Sequence, residues 1–366
     1  MSSFYSTQEE RWSTESCCRD ITIYNTLIPS FLGAAVMVSS MVSSKKMTTV
    51  VKNESDTMIR CASCGAGGND IKLKRCTACY LIRYCSVKCQ MEHRPKHKKE
   101  CKKRAAELND EILFKQPESS HYGECPICCL PLSLDPSKSA SLNSCCSKTI
   151  CIGCSLANKK REVEGNLQHK CAFCRKALPN TMEEFYEQLM KRIEVNDPVA
   201  IRYMGTKRYD EGDCKAAFEY WKSAAALGDA EAHYQLSYLY MKGQGVEKDE
   251  KRAMHHAEQA AIVGQPNARH NIGWIEQKRG RMDRAVKHWI IAAKLGNDDS
   301  LDALKKAYKA RLMSKDDFAA ALRGHQAAVD ATKSPQRDEA AKFFTNLKEE
   351  LSDYLPADSA DWLPRS

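Results

Sequence analysis

The spacing of cysteine and histidine between Cys61 and Cys101 constrains the fold of this chain more than any other feature. Eight residues follow the pattern C-x2-C-x11-C-x2-C-x5-C-x3-C-x7-H-x3-C. They form the pairs Cys61/Cys64, Cys76/Cys79, Cys85/Cys89 and His97/Cys101. A pair at this separation reaches one metal from a single backbone turn, and eight such ligands saturate two tetrahedral zinc ions. The segment has few large apolar residues, so it needs metal to fold. The alternative, a disulfide framework, would leave one of its seven cysteines unpaired.

Together with Tyr84-Cys85-Ser86 and Cys89-Gln90, this pattern resembles the MYND zinc finger. The resemblance implies two interleaved sites. One zinc would take Cys61, Cys64, Cys85 and Cys89, and the other Cys76, Cys79, His97 and Cys101. It also implies a module that binds proteins, often through short proline-containing peptides. Arg94 stands where the family usually has tryptophan, so the peptide groove is expected to be altered or lost.

A second cysteine field follows, and it predicts two further zinc ions. Its eight candidate ligands are Cys125, Cys128, Cys145, Cys146, Cys151, Cys154, Cys171 and Cys174. Cys129 is left over as a spare thiol. Adjacent ligands are geometrically awkward, so the choice between Cys145 and His169 stays open. The whole chain would then hold about four zinc ions.

Residues 122–179 resemble a RING-like domain of the all-cysteine type. The resemblance implies a cross-brace, with Cys125, Cys128, Cys151 and Cys154 on one zinc and Cys145, Cys146, Cys171 and Cys174 on the other. In RING ubiquitin ligases, residues at the positions of Ile127 and Arg175 touch the E2 enzyme or steady its ubiquitin conjugate. Ala172 departs from the CPxC knuckle of active members, and residues 155–170 lack the usual tryptophan. A purely structural zinc module is the alternative.

The chain changes character at Asp197, where a helical repeat begins. Gly228, Gly264 and Gly296 align, each with two alanines three and four residues earlier. The pattern predicts pairs of antiparallel helices stacked as a solenoid, each pair ending at its glycine. The run Lys242-Gly-Gln-Gly-Val246 resembles the Sel-like repeats, relatives of tetratricopeptide repeats. Members of that family act as scaffolds that bind proteins.

The remaining segments complete the expected organisation. Thr181 and Glu184 form a capping box that starts a connecting helix. Ser334-Pro335 starts a final helix, which we expect to cap the solenoid and to be followed by a loose tail in which Trp362 is a candidate tether. The predicted parts are a leader (1–57), a MYND-type finger (58–104), a linker (105–121), a RING-like domain (122–179), a connecting helix (180–196), repeats (197–330) and a C-terminal helix and tail (331–366).

The leader has three readings. Residues 21–44 are uncharged and long enough to span a bilayer, which suggests an anchor or a cleaved targeting segment. Pro29, Asn25 and several serines favour a disordered or non-native leader ahead of Met47. Zinc-binding thiols must stay reduced, so we expect a cytoplasmic or nuclear location and no membrane partner.

Two functions compete for this multidomain, zinc-stabilised and α-helical chain. The first is an adaptor without chemistry, in which the finger and the repeats each hold a protein. The second is a RING-type E3 ubiquitin ligase that recruits an E2 enzyme and selects substrate through the repeats or the finger. The net charge of +9 and the basic residues 90–104 suit an acidic partner, but aromatic residues for base stacking are missing there, which disfavours nucleic acid. A SET-type methyltransferase is excluded, because the cofactor segment and strands that flank such a finger are missing.

Overall fold

The computed structural model describes residues 60–67, 72–135, 139–171 and 173–352. Predictions for the leader 1–57, for Ala172 and for the tail with Trp362 lie outside the described residues. The described part forms two compact units that divide between Lys115 and Gln116.

The first unit holds one short hairpin and one long helix. Strand β1 (Lys74–Arg75) pairs antiparallel with β2 (Arg83–Tyr84). Helix α1 (Val87–Leu113) begins at Ser86, whose hydroxyl accepts the backbone N–H of Cys89 at 3.2 Å. The helix places Cys89, His97 and Cys101 along its length, with the last two one turn apart on one face. Because α1 runs to Leu113, about half of the predicted linker 105–121 is a continuation of this helix.

The second unit starts with a small module built on a hairpin and a helix. Strand β3 (Ala140–Asn143) pairs antiparallel with β4 (Lys148–Cys151), with Ala140 opposite Cys151. Helix α2 (Ile152–Glu164) follows directly, with Cys151 as its N-cap. Helix α3 (Met182–Ile193) is the predicted connecting helix. One half of its capping box is confirmed, since Glu184 N–H donates to the Thr181 hydroxyl, whereas the Glu184 carboxylate accepts the N–H of Asn180, one residue before the N-cap.

Four helix pairs follow and form the repeat region. They are α4 (Pro198–Asp210) with α5 (Cys214–Ala226), α6 (Ala230–Lys242) with α7 (Glu250–Ile262), α8 (Pro266–Lys278) with α9 (Met282–Ala293), and α10 (Asp298–Lys309) with α11 (Lys315–Ala331). Gly228, Gly264 and Gly296 follow α5, α7 and α9 with φ values of 89°, 101° and 96°. The predicted glycine at the end of each repeat is therefore confirmed, since such φ values favour glycine.

Buried tryptophans hold the helices of two pairs together. Trp221 of α5 packs on Gly205 of α4, where an added Cβ would lie 2.5 Å from the indole Cδ1. Trp289 of α9 packs on Gly273 of α8 in the same way, with 2.5 Å between the Cβ position and Nε1. Each indole N–H donates to a carbonyl oxygen on the facing helix, that of Arg202 or His270. The spacing of the small residues predicted that the helices approach closely and that Trp221 and Trp289 fill wider gaps, but it did not indicate that each tryptophan faces a glycine.

The last helix, α12 (Pro335–Ser352), starts where Ser334-Pro335 predicted it. We expected it to cap the solenoid. Instead it packs along α2 of the cysteine-rich module. Lys160 of α2 pairs with Glu339 of α12, and the buried Arg337 reaches the first loop of that module. In the described residues, no helix is long and apolar enough to cross a membrane.

Candidate metal centres

Four CxxC pairs adopt one common knuckle geometry. The carbonyl oxygen of the first cysteine accepts the N–H of the residue four positions on, at 2.8 to 3.0 Å. That residue has a left-handed backbone in every case, with φ between 55° and 73°: Gly65, Tyr80, Cys129 and Arg175. The turn points both thiols to one side, as a metal needs. The residue after the knuckle thus has a conformational role that the sequence analysis missed.

The finger brings its candidate ligands together in two sets of four. Cys61, Cys64, Cys85 and Cys89 form one set, and Cys76, Cys79, His97 and Cys101 form the other. Within the first set, Cys85 Sγ lies 3.6 Å from Cys64 Sγ and 3.5 Å from Cys89 Sγ. In the second, His97 Nε2 lies 3.2 Å from Cys79 Sγ. The sets interleave along the chain, as the resemblance implied.

The second module also gathers two sets. Cys125, Cys128, Cys151 and Cys154 form the third, and Cys145, Cys146, Cys171 and Cys174 form the fourth. The adjacent cysteines both face the fourth set, because the hairpin turn at Asn143 rotates the backbone between them. His169 instead binds the buried carboxylate of Glu162, with Nδ1 2.9 Å from Oε2. The structure therefore places Cys145, and not His169, in the fourth set.

The donor sets fit zinc. All donor atoms in a set lie within 4.8 Å of one another. A zinc–sulfur bond of about 2.3 Å gives sulfur–sulfur edges of about 3.8 Å in a tetrahedron. Observed edges of 3.5 to 3.9 Å match this value in several pairs, whereas Cys171 lies closer to Cys145 and Cys174, at 3.1 and 2.9 Å. Thiolate and imidazole are donors that structural zinc prefers, so the chain fits about four zinc ions.

The thiols within a set hold their protons unequally. A hydrogen bond from Cys151 lowers the pKa of the Cys125 thiol to about 4, although burial opposes the shift. Hydrogen bonds from Cys145 and Cys171 lower the pKa of Cys146 to about 3. The same contacts raise the pKa of Cys151 and of Cys171. In these two sets one thiol therefore loses its proton more easily than its neighbours, and an incoming metal displaces the remaining protons.

Ile127 and Arg175, the candidate E2-binding residues, line one groove. Phe173 and Leu167 of the module and Gln336 of α12 lie along it as well. Ile127 is 45% exposed. The structure thus brings these two residues to one surface, while their proposed role with an E2 enzyme stays a prediction.

Residues 116–122, which we call the strap, lie against the repeats. The strap was predicted to be part of a linker. His121 N–H donates to the carbonyl oxygen of Gly264 at 3.2 Å, and the buried His121 ring lies 3.0 Å from the carboxylate of Glu231. Gln116 also donates to the carbonyl oxygen of Ile291. These contacts fasten the second module to the solenoid.

A cavity of about 1190 Å³ lies between the second module, the solenoid and α12. Leu142 and Leu156 line it from the module, Tyr203 and Gln235 from the repeats, and Phe343 and Phe344 from α12. Charged side chains line it as well, among them the cations Lys159 and Arg202. Burial lowers the pKa of Lys159 to about 8. The cavity therefore combines apolar side chains with charged groups of both signs.

Comparison with known proteins identifies two parts of the chain. Residues 61–101 match the MYND finger, and residues 198–229, 230–264 and 281–297 match the Sel1 repeat. The prediction of a zinc-binding region followed by a helical repeat region is thereby confirmed.

Curated relatives are similar over shorter stretches. Chitin synthase regulatory factor 4 of Schizosaccharomyces pombe is 33% identical over 86 residues, which is 23% of this chain and 14% of that protein. DAP3-binding cell death enhancer 1 of Mus musculus is 23% identical over 209 residues, 46% of this chain and 41% of that protein. The chain spans less than half the length of these relatives.

Solved structures that resemble the chain are repeat proteins. The Sel1 repeat protein of Oxalobacter formigenes is 26% identical with a TM-score of 0.37, over 49% of this chain and 73% of that one. The antigen c5321 of uropathogenic Escherichia coli is 21% identical with a TM-score of 0.33, over 46% of this chain and 37% of that one.

Proposed function

We propose that this protein is a zinc-dependent adaptor that holds other proteins and catalyses no reaction itself. The sixteen residues of the four sets act as structural zinc ligands. The observation that carries the proposal is the cavity between the second module and the repeats. At about 1190 Å³, with apolar side chains beside charged ones, it has room for the side chains of a bound protein segment.

Both identified parts support the same conclusion. A MYND finger and Sel1 repeats are modules that bind proteins, and here they occupy separate compact units. The finger and the cavity would each hold one partner. Because the ligands are reduced thiols, we place the protein in a reducing compartment such as the cytoplasm or nucleus.

Site-specific cross-linking tests the adaptor proposal. A photo-reactive residue replaces Ala328, which lines the cavity, and in a control chain it replaces Lys222, which is exposed on α5. The mouse relative is named for binding DAP3, so purified DAP3 is the first partner to try. We expect cross-linking at position 328 and none at position 222. If every cross-linked protein is recovered in equal yield from position 328 and from position 222, the cavity is not a partner site.

A RING-type ubiquitin ligase is the second candidate function, and one observation favours this hypothesis. Ile127 and Arg175 line the same groove, next to the knuckles of the third and fourth sets. Ubiquitin discharge from a panel of charged E2 enzymes tests it, using the full zinc-loaded chain beside an Ile127→Ala variant. Faster discharge that this variant abolishes would support a ligase. If every E2 discharges ubiquitin at the uncatalysed rate, the ligase hypothesis is wrong and only the adaptor proposal remains.

A further inference from the structure

Arg337 in the first turn of α12 joins a distant helix to the third cysteine set. Its side chain is buried, and its Nη2 donates to Cys128 Sγ at 3.4 Å and to the carbonyl oxygen of Leu130 at 3.1 Å. Nη1 donates to the carbonyl oxygens of Pro131 at 2.6 Å and Thr332 at 2.8 Å. The guanidinium therefore binds one candidate ligand and the loop that carries it, across 209 residues of sequence.

The backbone of α12 approaches the other knuckle of the same set. Gly153 lies between Cys151 and Cys154, and a Cβ added there would be 3.0 Å from Arg337 N and from the Gln336 carbonyl group. A side chain at position 153 would therefore crowd the backbone of α12, which would have to shift by a few tenths of an ångström. The first turn of α12 thus touches both halves of the third set.

The charges explain why arginine suits this position. Four thiolates and one Zn²⁺ carry a net charge of about minus two, which is costly in a buried site. A guanidinium stays protonated, offsets part of this charge, and has planar donors that bind a thiolate and three carbonyl oxygens at once. Lysine cannot present the same fork.

We propose that Arg337 couples zinc binding at Cys125, Cys128, Cys151 and Cys154 to the docking of α12. The guanidinium stabilises the loaded site, and the loaded site holds the helix against α2. Such coupling is reciprocal, because each partner stabilises the state that the other prefers. Phe343 and Phe344 of the same helix line the cavity, so loss of zinc at this one site would remove a wall of the cavity.

Zinc release from the full-length, zinc-loaded protein tests whether the Arg337 guanidinium stabilises the loaded site. Arg337→Gln removes the charge and the fork, and Lys342→Gln on the exposed face of the same helix is the matched control. We expect one of the zinc ions in Arg337→Gln to be lost to a chelator on the order of 10- to 100-fold more readily, as for other groups that support metal ligands. The control should release zinc as the unmodified protein does. Arg337→Lys keeps the charge and should fall between the two.

Hydrogen exchange of α12 tests, without a chelator, whether the loaded site holds this helix against α2. Cys128→Ser removes one ligand of the third set, and Cys64→Ser removes one from the finger, which lies in the other unit. We expect α12 amides to lose protection in Cys128→Ser and to keep it in Cys64→Ser. The proposal is overturned if Arg337→Gln and Arg337→Lys release every zinc at the unmodified rate, or if α12 stays equally protected in both cysteine variants.

Discussion

Cys129 is a cysteine of the second module that lies outside the ligand sets and has a left-handed backbone. It follows Cys128, its thiol is exposed, and it lies outside the four sets. Its φ of 55° is left-handed, a conformation that costs a residue with a Cβ roughly 1–2 kcal/mol. Gly65 occupies the same place in the first knuckle with no such cost.

We therefore expect Cys129→Gly to keep all its zinc and to become more stable by about 1 kcal/mol, because glycine relieves the backbone. Cys129→Val should lose stability, since a β-branched residue tolerates this φ poorly. Zinc analysis and chemical denaturation measure the two effects. A loss of zinc in Cys129→Gly would show that Cys129 is a ligand and that the assignment of the third set is wrong.

Spacing in the sequence was enough to find the pairs of candidate ligands, because a CxxC knuckle is a local structure, whereas the division of the pairs into four sets came from the family resemblances. It was also enough to leave Cys129 out. Arg337 could not be predicted in the same way. Its contact with Cys128 depends on how two distant segments pack, and no local pattern of residues encodes that. The preference for Cys145 over His169 likewise became clear only from the hairpin turn and from the Glu162 carboxylate.

Among the elements, the strap contacts one turn of the repeats, the turn at Gly264, and this contact can be tested. Gly264 and Gly228 are equivalent positions, and both have positive φ. A Cβ on Gly264 would lie 2.6 Å from the carbonyl oxygen of Ser119 in the strap, whereas a Cβ on Gly228 would meet nothing within 4 Å.

Both Gly264→Ala and Gly228→Ala should lose about 1 kcal/mol of stability through the backbone. Gly264→Ala should lose a further 1–3 kcal/mol, roughly, because the strap has to move. Limited proteolysis of residues 116–122 should speed up in Gly264→Ala alone. Equal stability and equal cleavage in the two variants would show that the strap does not depend on this contact.

The periodic pattern predicted the helices of the repeats well, because alanine and glycine recur wherever two helices approach closely. It did not indicate where the final helix packs. Phe343, Phe344 and Leu347 mark an apolar face, but a face does not specify its partner, and α12 packs on α2. The contact between the strap and the repeats was not predicted either, because it joins segments that are distant in sequence, such as His121 and Glu231.

At the scale of the whole molecule, the cores divide into two kinds. The buried clusters of the two small modules contain the candidate ligands themselves, such as Cys76, Cys125 and Cys146. The clusters of the repeats consist of alanine, leucine, isoleucine, valine and tryptophan and contain none of the ligands. Stability should therefore depend on zinc in one part of the chain and on apolar burial in the other.

Removal of zinc tests this division. The intact protein should hold about four zinc ions by elemental analysis, and fewer than three would contradict the ligand sets. After treatment with a strong chelator under reducing conditions, we expect α1, α2 and the two hairpins to lose protection from hydrogen exchange, because their cores lose the metal that closes them. Helices α4 to α9 should stay protected, since Trp221 and Trp289 remain packed. Added zinc should restore the modules, and a loss of protection in α4 to α9 at the same chelator concentration would show that the repeats depend on the zinc modules to fold.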